Sequence, residues 1–332
     1  MRVLVTGGAG YVGSVSVERL VAAGHDVLIL DSLVTGHRMA VPREARLVVE
    51  STRDQEAVER LLRRAGIDAV LHCAARSLVP ESMADPALYY AENVAGGVAL
   101  LDAMCAAGVG RIVFSSTAAV YGEPDRVPIT EDTPLRPINP YGETKRAFEG
   151  AMRWYAEAFG LRCVSLRYFN VAGATEARGE DHRPETHLIP NILRAALGQG
   201  RLTIHGDDYP TRDGTPIRDY IHVEDLADAH LAALEFTASA PVRNPGGTFD
   251  AINLGSGSGF TVRQVIAAAQ STTGRDIPHV VGRRRPGDPP ALVASYDRAR
   301  KVLAWEPRRG TLEEMIGSAW LWREAHPDGY KD

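Results

Sequence analysis

The stretch VTGGAGYVGS, residues 5–14, decides the fold. It follows a short apolar run, RVLVT (2–6), and precedes a helical pattern that continues through Ala23. Its glycines Gly7, Gly10 and Gly13 are spaced GxxGxxG. Glycines at such a junction permit a tight turn and close backbone approach, and they turn a helix N-terminus toward an anionic group such as a pyrophosphate. A bare glycine pattern is weak, so its context matters. Asp31 closes the next apolar run, DVLILD (26–31), 18 residues after Gly13. A carboxylate there can accept hydrogen bonds from an adenosine ribose and repels a 2′-phosphate, which favours NAD over NADP. Arg38 nearby is read as solvated.

Outward from this turn, the first half alternates strand-like and helix-like segments. ARLVVE (45–50), DAVLHCA (68–74), RIVFSS (111–116) and LRCVSLRYFN (161–170) are further strand candidates. Helices are expected over 86–108 and 139–160. Continuous Val/Ile/Leu runs indicate strands covered on both faces, hence an α/β fold with a doubly wound parallel sheet of the Rossmann type. After Gly173 the chain becomes richer in polar and turn residues. We therefore expect residues 1–173 to form the NAD-binding domain and 174–332 mainly a smaller C-terminal lobe for the substrate. One late run, FDAINLG (249–255), is a candidate to rejoin the sheet.

Bulk properties narrow the function. The 332 residues allow roughly two domains, with 45% hydrophobic and 24% charged residues, an ordinary globular composition. A net charge of −5 gives no reason to expect a nucleic-acid partner. No apolar run approaches the roughly 20 residues of a membrane helix, and the N-terminus has no signal-like apolar region. Cys73, Cys105 and Cys163 lack metal-site spacing and read as structural thiols in a reducing cytoplasm. His187 and His222 have no partners at metal spacing either, so no metal site is expected.

PYGETKRAF (140–148) places Tyr141 and Lys145 on one helix face. This pair follows the glycine turn and FSSTAAVYG (114–122) in order. With AENVAGG, LRYFNVAGA, ETHLIP, DYPTRDGTPIRDYIHVEDLA, NLGSGSGFTV, RRRPGD and HPDGY, the chain resembles, nearly end to end, the UDP-galactose 4-epimerases of the extended short-chain dehydrogenase/reductase family. The resemblance implies a homodimeric enzyme that interconverts UDP-galactose and UDP-glucose. Its reaction is transient oxidation at C4, turning of the 4-keto sugar and re-reduction from the other face, with NAD as the bound redox group. Tyr141 is then the base, Lys145 favours its phenolate and holds the nicotinamide ribose, Thr117 hydrogen-bonds the reacting hydroxyl, and Ser116 assists. The implied cofactor contacts are Gly7, Gly10, Tyr11, Val12, Gly13, Asp31, Ser32, Ser51, Ala74, Ser77, Asn93, Ser115, Tyr141, Lys145 and Tyr168. On the substrate side, Arg218, Arg285 and Asn170 would hold the phosphates. Leu188, Thr203 and His205 would meet the uracil, Asp288 the uridine ribose and Leu292 the sugar, with Thr117, Tyr141 and His187 also in contact.

Three positions depart from the family pattern. Ser51 stands where an adenine-binding Asp is common, Ser77 where a phosphate-binding lysine is common, and Val15 where a histidine is frequent. The first two remove contacts, which predicts looser NAD binding. Leu292 is intermediate between the bulky tyrosine and the smaller residues found there, so acceptance of N-acetylated sugars is an open alternative. A 4-epimerase of another UDP sugar (uronic acid or pentose) and a catalytically silent NAD-sensing regulator are the remaining alternatives. A 4,6-dehydratase is disfavoured because Ala118 and Ala119 follow Thr117, where that chemistry needs an Asp-Glu pair.

Overall fold

Val3, Leu4 and Val5 of the first strand are all fully buried although they alternate in direction, so both faces of their sheet are covered. The computed structural model describes residues 1–239, 246–285 and 288–332. Its strands are β1 (Arg2–Thr6), β2 (Asp26–Asp31), β3 (Arg46–Val49), β4 (Ala69–His72), β5 (Arg111–Ser115), β6 (Arg162–Tyr168), β7 (Asn170–Ala172), β8 (Leu202–His205), β9 (Ile217–His222), β10 (Thr248–Leu254), β11 (Gly259–Thr261), β12 (His279–Gly282) and β13 (Ala291–Leu292). Seven of them form one sheet in the order β10-β6-β5-β4-β1-β2-β3, and every pairing in it is parallel. The late run around 249–255 thus rejoins the sheet, pairing with β6 from Thr248 to Leu254.

Strand order reverses between β1 and β4. At such a switch point the connections leave in opposite directions and open a crevice at the strands' carboxyl ends. One sheet face packs Val3, Val5, Ile29 and Leu71 against Val17 and Leu20 of the helix Tyr11–Ala22 and against Leu226 and Leu234 of the helix Val223–Ser239. The other packs Leu4, Leu30, Val70 and Phe114 against Leu62, Leu100 and Phe148 of three further helices. Each such side chain, fully withdrawn from water, contributes about 1.5–3 kcal/mol, and together they hold the crevice's two walls in register. Val15 belongs to this packing, against Val223 and Ala227.

Beyond the sheet, β9 pairs with β7, β11 and β13, and β8 pairs with β12. A separate core of Ile192, Ile204, Val265 and Met315 supports them. The segment expected as one helix over 86–108 contains a π-helical turn, Tyr90–Ala95, between α-helical Pro86–Tyr89 and Gly96–Ala107. No helix among the described residues is long and apolar enough to cross a membrane.

Candidate active site

A single cleft of about 1250 Å³ runs from the glycine turn to β13. At one end, Gly7 (φ +71°) closes the turn against β4, where a Cβ would lie 2.5 Å from the Ala74 nitrogen. A Cβ on Gly13 would lie 2.1 Å from the Gly7 oxygen. Both glycines are thus demanded by the protein's own packing. Gly10 is different: a Cβ there would meet only the Gly7 oxygen, at 3.4 Å. It caps the helix Tyr11–Ala22 without a side-chain cap, which leaves a bare helix N-terminus suited to a pyrophosphate. The Asp31 carboxylate accepts from the backbone nitrogens of Ala9 and Leu33 at 2.9 and 2.8 Å. Burial raises its pKa and these two bonds oppose the rise. Each oxygen keeps acceptor capacity for a ribose hydroxyl. These features fit a dinucleotide.

Tyr11, Val12, Ser32, Ser51, Ala74, Ser77 and Tyr168 also line the cleft. Asn93 and Ser115 are not among its lining residues. From the π-helical turn, the Asn93 amide bonds the backbone N and O of Arg76 and the Thr144 hydroxyl, so it fastens the cleft wall from behind. The Ser115 hydroxyl bonds Cys73 and His230 beneath the sheet edge. Cys73, expected to be structural, borders the cleft, and burial pushes its thiol up to about 11.

The chemical centre is carried by the helix Pro140–Phe159 and the end of β5. Asn139 caps that helix through the Gly142 nitrogen, which sets Tyr141 in its first turn. Burial raises the Tyr141 pKa, and a hydrogen bond with Thr117 works against that. Lys145 is 3% exposed. Its Nζ donates to the Ser115 carbonyl at 2.8 Å and lies 4.6 Å from the Phe114 ring centroid and 5.9 Å from that of Tyr141. Burial lowers its pKa to about 8, opposed by Cys73 and Glu149.

Ser116 is a correction. Successive residues at a strand end point to opposite sides. Ser115 turns toward His230, and the fully buried Ser116 turns toward Glu149, to which its hydroxyl donates at 2.7 Å. It does not reach the cleft. Glu149 in turn receives Ser165 and a bidentate Arg167, which also donates to Tyr121. This satisfied network underlies the turn Ala118–Tyr121 that follows Thr117, and its members carry no local motif that would have identified them.

At the far end the cleft is lined by Asn170, His187, Leu188, Thr203, His205, Arg218, Arg285, Asp288 and Leu292. The structure joins Arg218 directly to Asp288. The Asn170 amide donates to the Asp219 carbonyl at 3.0 Å. Arg284 bonds Asp208 and covers the Tyr209 ring, whereas Arg285 borders the cleft and helps to lower the His205 pKa, after burial. Pro286 and Gly287 of the RRRPGD stretch lie outside the described residues. His222 is a core histidine bonded to Ser318, and burial lowers it to about 4. His187 has the neighbours that the sequence reading denied it. Glu180, His182, Glu185 and His187 each bring one donor atom to within 4.8 Å of the others, a grouping legible in the spacing E-x-H-x-x-E-x-H over 180–187.

The model of the NAD dependent epimerase/dehydratase family matches residues 3–255. The UDP-glucose 4-epimerase of Lactobacillus helveticus is 51% identical over 335 residues, covering 100% of both chains. A crystal structure of a UDP-glucose 4-epimerase superposes with a TM-score of 0.95 at 46% identity, again over 100% of both chains. That of the Brucella ovis UDP-glucose 4-epimerase in complex with NAD superposes at 0.92 with 43% identity, covering 96% of this chain and 97% of the other.

Proposed function

Given that the chain belongs to the NAD dependent epimerase/dehydratase family, we propose that it is an NAD-dependent UDP-glucose 4-epimerase, interconverting UDP-galactose and UDP-glucose. The carrying observation is the convergence of Thr117, Tyr141 and Lys145 on the cleft that also holds the bare helix N-terminus and Asp31. NAD, when bound between Gly10 and Asp31, supplies reversible two-electron oxidation at the sugar's C4. Tyr141 takes the proton of the 4-hydroxyl and later returns it, and Thr117 holds that hydroxyl in line. Because burial raises Tyr141, proton removal depends on positive charge in the cleft, to which the Lys145 ammonium contributes. Arg218 and Arg285 grip the diphosphate while the sugar end turns over. A cleft of about 1250 Å³ leaves room for that turn.

In this proposal residues 1–173 form the NAD-binding domain and 174–332 mainly the UDP-sugar lobe. The enzyme is a cytoplasmic homodimer. Support for the dimer is the exposed apolar surface on the two expected helices: Tyr90 is 44%, Trp154 72% and Phe159 62% exposed. Product analysis of purified protein with UDP-galactose, with and without added NAD⁺, tests the function. Formation of UDP-glucose is expected, and its absence under both conditions overturns the assignment.

A further inference from the structure

The loop 179–187 walls one side of the cleft and carries two carboxylates and two imidazoles whose donor atoms converge. His187 Nδ1 lies 2.9 Å from Glu180 Oε1 and 2.8 Å from Glu185 Oε1. His182 Nδ1 lies 3.1 Å from Glu180 Oε1 and 3.8 Å from Glu185 Oε2. Ligands about 2.0–2.1 Å from a tetrahedral ion are about 3.3 Å apart; the Glu180 Oε1 separations of 2.9 and 3.1 Å and the Glu185 Oε2 separation of 3.8 Å fall on either side of that value.

The second observation is an orphaned atom. Glu185 Oε1 accepts from the backbone nitrogens of Thr186 and His187. Glu185 Oε2, on a side chain 4% exposed, has no hydrogen-bond partner among the described residues, and it faces His182. A buried carboxylate oxygen without a partner carries an uncompensated desolvation cost, and natural structures leave few such atoms without a reason. A cation at the convergence point would satisfy it.

We propose that Glu180, His182, Glu185 and His187 form a four-coordinate site for a divalent transition-metal ion of the zinc class at the rim of the cleft. Two nitrogen and two carboxylate donors suit zinc or cobalt. Calcium and magnesium would ask for an all-oxygen shell. The carboxylates are the buried pair, at 9% and 4% exposure, and the imidazoles are open at 26% and 40%, which gives an ion its entry path. Behind the ligands, Arg323 donates to the Glu180 carbonyl at 3.1 Å and fixes the loop. His187 is also an expected substrate contact, but Thr117, Tyr141 and Lys145 take no part, so metal binding without substrate is read separately from the C4 chemistry.

Cobalt(II) alone, titrated into tag-free full-length protein stripped with a chelator, is the direct probe. One ion per chain is expected, with the intense visible bands of tetrahedral cobalt, bleached by added zinc. Second-shell changes alone cost 10–100-fold in metal affinity. Loss of a ligand in His182→Ala, or of its charge in the isosteric Glu185→Gln, is therefore expected to weaken binding at least about tenfold. Zinc is expected to raise the wild-type melting temperature and to leave that of His182→Ala/Glu185→Gln unchanged. Only the weak spectrum of octahedral cobalt in wild type, or equal affinity in wild type and double variant, overturns the site. The wild-type spectrum decides the matter even if a variant fails to fold.

Discussion

Replacing Lys145 by Met should make the protein more stable at neutral pH and nearly inactive. Lys145 is 3% exposed, and burial takes its ammonium from the ordinary 10.5 to about 8. At 1.36 kcal/mol per pKa unit, keeping it charged in the fold costs roughly 3 kcal/mol. Met fills a similar volume without a charge. It forfeits the hydrogen bond to the Ser115 carbonyl, worth about 1 kcal/mol. The net gain at pH 7 is then about 2 kcal/mol. For a chain of 332 residues the entropy of unfolding is about 0.7 kcal/mol per degree, so the melting temperature should rise by about 3 °C. The sign with pH follows from linkage. Below about pH 8 lysine is charged in both states and its cost is constant. Between 8 and 10.5 the folded protein sheds the proton first and the cost disappears. The advantage of the variant should therefore shrink across that window and be flat outside it. Thermal unfolding of both proteins, freed of NAD, at pH 7 and pH 10 measures this, and product formation should fall by about a hundredfold or more. A variant no more stable than wild type at pH 7, or a gap independent of pH, would refute the reasoning.

The two cofactor-facing glycines should respond differently to alanine. Gly13→Ala forces a Cβ to within 2.1 Å of a backbone oxygen and should cost about 1–3 kcal/mol or more by thermal unfolding. Gly10→Ala, with 3.4 Å of clearance, should cost no more than about 1 kcal/mol yet weaken NAD binding, read by titration. Ser77→Lys, at the cleft wall, adds a charged contact worth about 1.5–3 kcal/mol, so dialysed protein should retain NAD at least about tenfold better; unchanged retention counts against the loosened site. Leu292 lines the substrate end, and Leu292→Ala should improve turnover of UDP-GalNAc relative to UDP-galactose. Equal rejection of UDP-GalNAc by wild type and variant removes Leu292 as a gatekeeper.

The sheet was legible because parallel strands buried on both faces must be continuously apolar, and RVLVT and DVLILD are. The cofactor end was legible for a related reason: the helix start and the Asp31 position follow from chain order alone. The rest depended on direction in space. Ser115, Ser116 and Thr117 are consecutive, yet the first hydroxyl meets His230, the second Glu149, and the third the cleft. A motif that names all three cannot tell which one points outward, although strand alternation already separates Ser116 from its neighbours. Asn93 sits in the π-helical turn Tyr90–Ala95, where its amide fastens the Arg76 backbone and the Thr144 hydroxyl, partners from other segments that chain order alone does not show. Lys145 shows the limit of counting most plainly. Helical spacing puts it beside Tyr141, but its nitrogen is drawn to a carbonyl and an aromatic face at the end of β5. These partners lie about thirty residues away in sequence, and they are what make its charge costly enough for the Lys145→Met comparison to reveal.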